Sequence, residues 1–275
     1  MTRPVIVTAA PNGARRMKKD HPNIPLTNAE TARASARCVD AGAAMIHVHV
    51  RDANGAHILD ADAYRDVTRE IRREAGADVI VQITTEAVGR YTPRQQMDVV
   101  EAVNPEAVSV ALRELMPGLD DEAAGSTFLH RLAKTPCLVQ HILYDADDVR
   151  RFQALVARGT IPTQNASVLF VLGRYTEDQQ SHPGDLLPFL KVWNCDLPWA
   201  VCAFGRKETA CVVAAAALGG HGRVGFENNL HLPDGTRAPD NSALVHAFVS
   251  AIAAIGLPIA SPDEARRVLS GETAY

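Results

Sequence analysis

Eight times along the chain, a short run of apolar and β-branched residues is followed by a longer stretch with helical periodicity. That alternation restricts the fold more than any other feature, because strands that repeat in one direction need a helical crossover between them. The runs predict strands over residues 4–10, 44–50, 78–84, 107–111, 137–143, 167–172, 199–203 and 223–226. Helices are expected over residues 61–75, 120–134, 145–158, 183–194, 207–218 and 240–255. Thr27 opens an earlier helix, with Glu30 three residues on as a capping box, and it ends near Ala41-Gly42. Thr92-Pro93 starts another, which Asn104-Pro105 closes, and Ser261-Pro262 caps a last one over residues 263–270. Each unit averages roughly 34 residues, near the usual size of a (β/α)8 repeat. The expected fold is therefore α/β: a single (β/α)8 TIM barrel with an extra C-terminal helix, one catalytic domain over residues 1–275. The strands read as apolar on both faces, as they should where helices cover a sheet. The rival, an open doubly wound sheet, usually carries a glycine-rich turn after its first strand. Here Pro11-Asn12-Gly13-Ala14 supplies one glycine.

A net charge of −4 and a pI near 6.2 argue against a nucleic-acid surface, which needs clustered basic excess. No stretch of 18 apolar residues occurs, so no membrane span is expected. The five cysteines lack Cys-x-x-Cys spacing and read as reduced thiols of a cytoplasmic protein.

Barrel enzymes carry their chemistry at the C-terminal strand ends. Those ends here hold Asn12; His47, His49 and Arg51; Thr84, Thr85 and Glu86; Ser109, Arg113 and Glu114; Gln140 and His141; Gly205 and Arg206; Glu227 and Asn228. The strand starts hold little of the kind, which points to an enzyme. His47-Val48-His49 is the sharpest motif, since residues two apart on a strand share a face. Two inward imidazoles in an apolar barrel are costly unless hydrogen-bonded or bound to a ligand. They suit a divalent metal, or else satisfied core histidines or substrate contacts. Glu227 closes the eighth strand, two strands from the second in a closed barrel, and can supply a third ligand; otherwise it is a salt-bridged loop residue. Two histidines and a carboxylate leave coordination positions open, as catalytic zinc and iron(II) sites do. Arg223 suits a substrate carboxylate or an acidic neighbour; Asp52 suits a supporting or loop-capping role; Arg113-Glu114 suits a site or a surface ion pair.

Several blocks together resemble the β-keto acid cleavage enzymes, whose best-known member is the 3-keto-5-aminohexanoate cleavage enzyme of lysine fermentation. They are Thr8-Ala9-Ala10 through Gly13-Ala14, Pro25 with Thr27, Gly42 to Arg51, Val81 to Thr85, Phe170 to Gly173, and Gly219-Gly220-His221 through Asn229. The resemblance implies a homotetrameric barrel with zinc, or another divalent metal, on His47, His49 and Glu227. It places Thr84 and Ser109 against substrate and makes Arg223 the catalytic arginine. The implied reaction joins a β-keto acid to acetyl-CoA, giving acetoacetate and a new acyl-CoA. The metal polarises the 3-keto carbonyl for attack by the acetyl-CoA enolate, and CoA transfer and retro-Claisen cleavage follow.

Two positions depart from the family pattern. Gly13-Ala14 is followed by Arg15 where the aminohexanoate enzyme has an ammonium-binding glutamate. Arg15, with Arg16, is expected to favour an anionic or neutral polar β-keto acid; the alternative is an arginine pointing to solvent. Asn228 stands where an aspartate would work with Arg223 in proton transfer, and an amide is no general base. Glu86, Glu114 and His141 are the candidates to take its place, while Asn12 and Arg113 are further substrate contacts. A metal-dependent hydrolase or aldolase on the same barrel is the alternative enzyme, and a barrel that only binds metal or anions is the third reading.

Overall fold

The computed structural model describes residues 3–272; residues 1, 2 and 273–275, the ends of the expected domain, lie outside the described residues. Its ten strands are β1 (Val7–Ala9), β2 (Met45–Val48), β3 (Val50–Arg51), β4 (His57–Ile58), β5 (Ile80–Thr84), β6 (Ala107–Ala111), β7 (Leu138–Leu143), β8 (Ala166–Leu172), β9 (Trp199–Ala203) and β10 (His221–Val224). Eight of them close in the order β1-β2-β5-β6-β7-β8-β9-β10, with β10 paired back onto β1. Every barrel pairing is parallel. This is the expected TIM barrel. Around it run α1 (Asn28–Asp40), α2 (Ala61–Ala75), α3 (Pro93–Val103), α4 (Leu112–Leu115), α5 (Leu119–Leu132), α6 (Ala146–Ala157), α7 (Leu187–Val192), α8 (Glu208–Ala217) and α9 (Asn241–Ala254). The last helix, α10 (Pro262–Ser270), lays Ala265, Val268 and Leu269 against Ile6, Met45, Ile80 and Leu138, closing the N-terminal end of the barrel.

Alternation along the strands separates two environments. Val7, Ile46, Val48, Val81, Ile83, Val108, Val110, Phe170 and Val201 belong to the core shared with the helices. The intervening positions turn inward and are not uniformly apolar. Thr8, His47, Gln82, Thr84, Ser109, Gln140, Ser167 and Arg223 are all buried there. The expectation of strands apolar on both faces is therefore corrected: the outward face is apolar, and the lumen is where polar groups collect.

Other differences have local causes. The eighth barrel strand runs over His221–Val224 rather than residues 223–226, because Gly225 takes a φ of +142° and turns the chain out of the ladder. The helix expected over residues 183–194 is a 3-10 turn, Pro183–Leu186, followed by the short α7. Two further elements carried too few residues to show a period: α4, and the antiparallel β3–β4 hairpin that leaves the barrel after His49. The capping box expected at Thr27 forms, and the expected helix starts at Thr92 and Ser261 prove to be capping boxes as well. Among the described residues no helix is long and apolar enough to cross a membrane, and all five cysteines are free thiols.

Candidate active site

At the C-terminal end of β2, His47 sits directly across from Gln82 of β5. Its Nδ1–H donates to Gln82 Oε1 at 2.8 Å, while Gln82 Nε2 donates onward to Gln140 Oε1. That chain fixes the imidazole tautomer and leaves the Nε2 lone pair facing the lumen. His49 lies just past the strand. Asn12, at the end of β1, holds its backbone with both halves of one amide, donating to His49 O at 2.9 Å and accepting from His49 N at 3.3 Å. The two imidazole Nε2 atoms end 3.1 Å apart. Burial first, then the charge of Arg223, pushes His47 down to about 3, so its ring is neutral near pH 7.

Glu227 reaches the same place from the turn after β10. Its backbone N–H donates to Ala10 O, and Gly13 lies so close that a Cβ there would meet Glu227 Cγ at 2.6 Å. One carboxylate oxygen, Oε1, accepts from Arg223 Nη2 at 3.0 Å; the other, Oε2, is 3.4 Å from each imidazole Nε2. Burial alone would raise this carboxyl. Arg223 overrides it and holds Glu227 well below the usual carboxylate range. His47, His49 and Glu227 each offer one ligand atom, all within 4.8 Å of one another. Glu227 Oε2 is buried without a hydrogen-bond partner, and an orphaned anionic oxygen beside two imidazole Nε2 atoms fits a divalent cation.

Beside this triad lies a row of unsatisfied donors. Arg223 uses Nη2 on Glu227 and Cys202 Sγ, but its Nε and Nη1 are buried and unpartnered. Ser109 Oγ, one strand from Thr84, is also buried and unpartnered. Thr84 Oγ1 accepts from Glu86 N, so its hydroxyl hydrogen is left to donate into the cavity. The outer wall adds Arg15, Arg16, Glu86, Glu114, Tyr144, Arg174 and Phe204. Glu86 lies 3.8 Å from His49 Nδ1, 3.9 Å from Arg15 and 3.7 Å from Arg174. Glu114 accepts from Ala87 N at 2.9 Å, and burial raises its carboxyl.

Of the residues singled out in the sequence, His47, His49, Glu227, Arg223, Thr84, Ser109, Asn12, Arg15, Glu86 and Glu114 all line one cavity. Arg113, His141, Asn228 and Asp52 are among those that do not line it. Arg113 turns to Asp145 at 2.6 Å and Asp148 at 3.0 Å, and stacks over Tyr144 and Tyr175. His141 faces outward against Phe152 of α6, because odd-numbered residues of β7 point to the helices. Asn228 is buried outside the cavity wall, its side-chain N and O both unpartnered, while its carbonyl accepts from Arg16. Asp52 caps the β3–β4 turn by accepting from Asn54 N and Ala56 N. Gln82, Tyr144, Arg174, Phe204 and Glu208 carried no assigned role. Gln82 was readable, since it shares a strand face with Thr84. The others come from loops and a helix start that only tertiary structure brings to the site.

A family model described as beta-keto acid cleavage enzyme matches residues 4–270. The 3-keto-5-aminohexanoate cleavage enzyme of Acetoanaerobium sticklandii is 29% identical over 270 residues, covering 96% of this chain and 97% of that one. The 3-oxoadipate:acetyl-CoA acetyltransferase of Cupriavidus necator is 26% identical over 284 residues, covering 98% and 95%. Among solved structures, apo ObcA superposes with a TM-score of 0.71 at 15% identity over 91% of this chain and 66% of that one, a likeness of fold.

Proposed function

The chain belongs to the β-keto acid cleavage enzyme family, and from that premise we propose that it works as a single metal-dependent catalytic domain on an anionic or neutral polar β-keto acid and acetyl-CoA. The products are acetoacetate and a new acyl-CoA. The observation that carries this reading is the convergence of His47, His49 and Glu227 beside the two unpartnered nitrogens of Arg223. A bound divalent ion, with zinc suited to this donor set, supplies Lewis-acid polarisation of the 3-keto carbonyl. Arg223 Nε and Nη1 offer a two-pronged edge to a substrate carboxylate or developing oxyanion, and Ser109 and Thr84 add hydroxyl donors. Glu86 and Glu114 are the carboxylates in the wall that can take the proton from the acetyl methyl group. Glu114, raised by burial, is the better matched base. Asn228, an amide outside the cavity wall, takes no proton.

Arg15 and Arg174 in the same wall support a substrate without an ammonium group. The relatives' names include both an amino acid substrate and 3-oxoadipate, so the two substrates differ in the charge that this wall would meet. The reading extends to a homotetramer, which light scattering of the purified protein checks, and to a cytoplasmic setting with reduced thiols. The central experiment supplies acetyl-CoA with 3-oxoadipate, 5-hydroxy-3-oxohexanoate or 3-keto-5-aminohexanoate and assays acetoacetate. Turnover highest on the diacid or the neutral acid is expected; hydrolysis without CoA, or preference for the amine, defeats the reading. His47→Ala is expected to lose most bound metal, and wild-type metal content in that variant removes the ligand assignment.

A further inference from the structure

Glu208, the first residue of α8, is a fully buried carboxyl that lies outside the cavity wall. Its Oε1 accepts from Gly225 N at 3.1 Å and its Oε2 from Asn229 Nδ2 at 3.2 Å. These contacts bracket Glu227, two residues from each. Each backbone N–H of the turn has a named acceptor: Glu208 takes Gly225, Asn241 Oδ1 takes Phe226 at 2.7 Å, Ala10 O takes Glu227, and Gly225 O takes Asn228 and Asn229. Glu208 is the member of that set that grips the turn at both ends.

We infer that Glu208 is a positioning residue for the metal centre, holding the Gly225–Asn229 turn so that Glu227 presents Oε2 to the two imidazoles. The hydrogen-bond polarity explains why a carboxyl stands there. Gly225 N can only donate. Asn229 Nδ2 is likewise fixed as the donor, because Asn229 Oδ1 accepts from His231 N and Nδ2 also donates to His231 O. Both partners of Glu208 therefore need an acceptor. Each carboxyl oxygen keeps a lone pair that can accept, whether or not the group is protonated, whereas a glutamine of the same shape has one accepting atom and turns an N–H against one of the two donors. Partners that orient ligands commonly change metal affinity by 10–100-fold when replaced.

This inference rests on reading His47, His49 and Glu227 as a metal centre, and the test separates the two. Zinc affinity is measured by competition with a chromogenic chelator for wild type, Glu208→Gln and a remote core variant, Val149→Ala, that loosens the fold without touching the site. The Glu208→Gln protein is expected to bind zinc about tenfold or more weakly, with kcat reduced more than KM is raised. Val149→Ala is expected to keep wild-type affinity. If wild type itself binds no zinc, the metal reading fails; if wild type binds and Glu208→Gln binds equally well, the positioning role fails. Where Glu208→Gln does not fold, Asn229→Ser removes the Oε2 contact together with the two bonds to His231, and unchanged zinc affinity there overturns the inference just as well.

Discussion

Gly13 shows how little room the site leaves at the scale of a residue. Its φ of +60° and the 2.6 Å approach of a built Cβ to Glu227 Cγ mean that Gly13→Ala both strains the backbone and pushes the carboxylate. Turnover in that variant is expected to fall about 100-fold, as ångström-scale misplacements do, with lowered metal content in the purified protein. Wild-type metal content and rate would show that Glu227 has slack the packing denies. Single residues also mark what could be read in advance. The His47–His49 pair was legible because strand geometry fixes their shared face, and Glu227 because closure of the barrel fixes its distance from β2. Arg113 misled because it adjoins Glu114 in sequence, yet in α4 the two side chains diverge, one to Asp145 and one to Ala87 N. Glu208 gave no signal, since a lone glutamate opening a helix looks like an ordinary helix-dipole residue.

Elements follow the sequence most closely where local chemistry decides them. Thr27 accepts from Glu30 N, and Glu30 in turn accepts from Leu26 N and Thr27 N. Burial would raise that carboxyl, but Lys18 and these N–H groups bring Glu30 down to about 2. Losing the cap in Thr27→Ala is expected to cost about 1 kcal/mol, read as a Tm lower by about 2–4 °C, with kcat unchanged. A fall in kcat would tie α1 to the site in a way its position does not suggest. The elements missed are those decided at a distance. Residues 173–182 and the 3-10 turn at Pro183–Leu186 have no period to read, although they set Arg174 and so part of the cavity wall.

At the scale of the whole molecule, buried titratable groups tie stability to pH from two sides. Burial lowers His47 and His57 to about 3, and His141 and His221 to about 4, from an ordinary 6.5. Their contribution is complete above 6.5 and is lost as pH falls toward those values. Burial raises Glu208 from 4.5 to about 8, so its contribution is complete below 4.5 and is lost as pH rises through 8. Between 4.5 and 6.5 four imidazoles outweigh one carboxyl. The metal-free protein is therefore expected to be most stable near pH 6.5 and to lose stability from there to 8, which urea midpoints in chelator check. Glu208→Gln is expected to flatten the alkaline decline, and a decline that persists in it contradicts this assignment.

Closure of the ring between β1 and β10 also sets an order of events during synthesis. The ribosome releases both imidazoles early, while the carboxylate that completes the triad emerges only with the final barrel strand. On the proposed metal reading, a growing polypeptide carries a two-toothed, loosely gripping chelate until its last staves arrive. Firm capture of the ion then coincides with the finished cylinder, and a prematurely terminated product keeps only the loose grip.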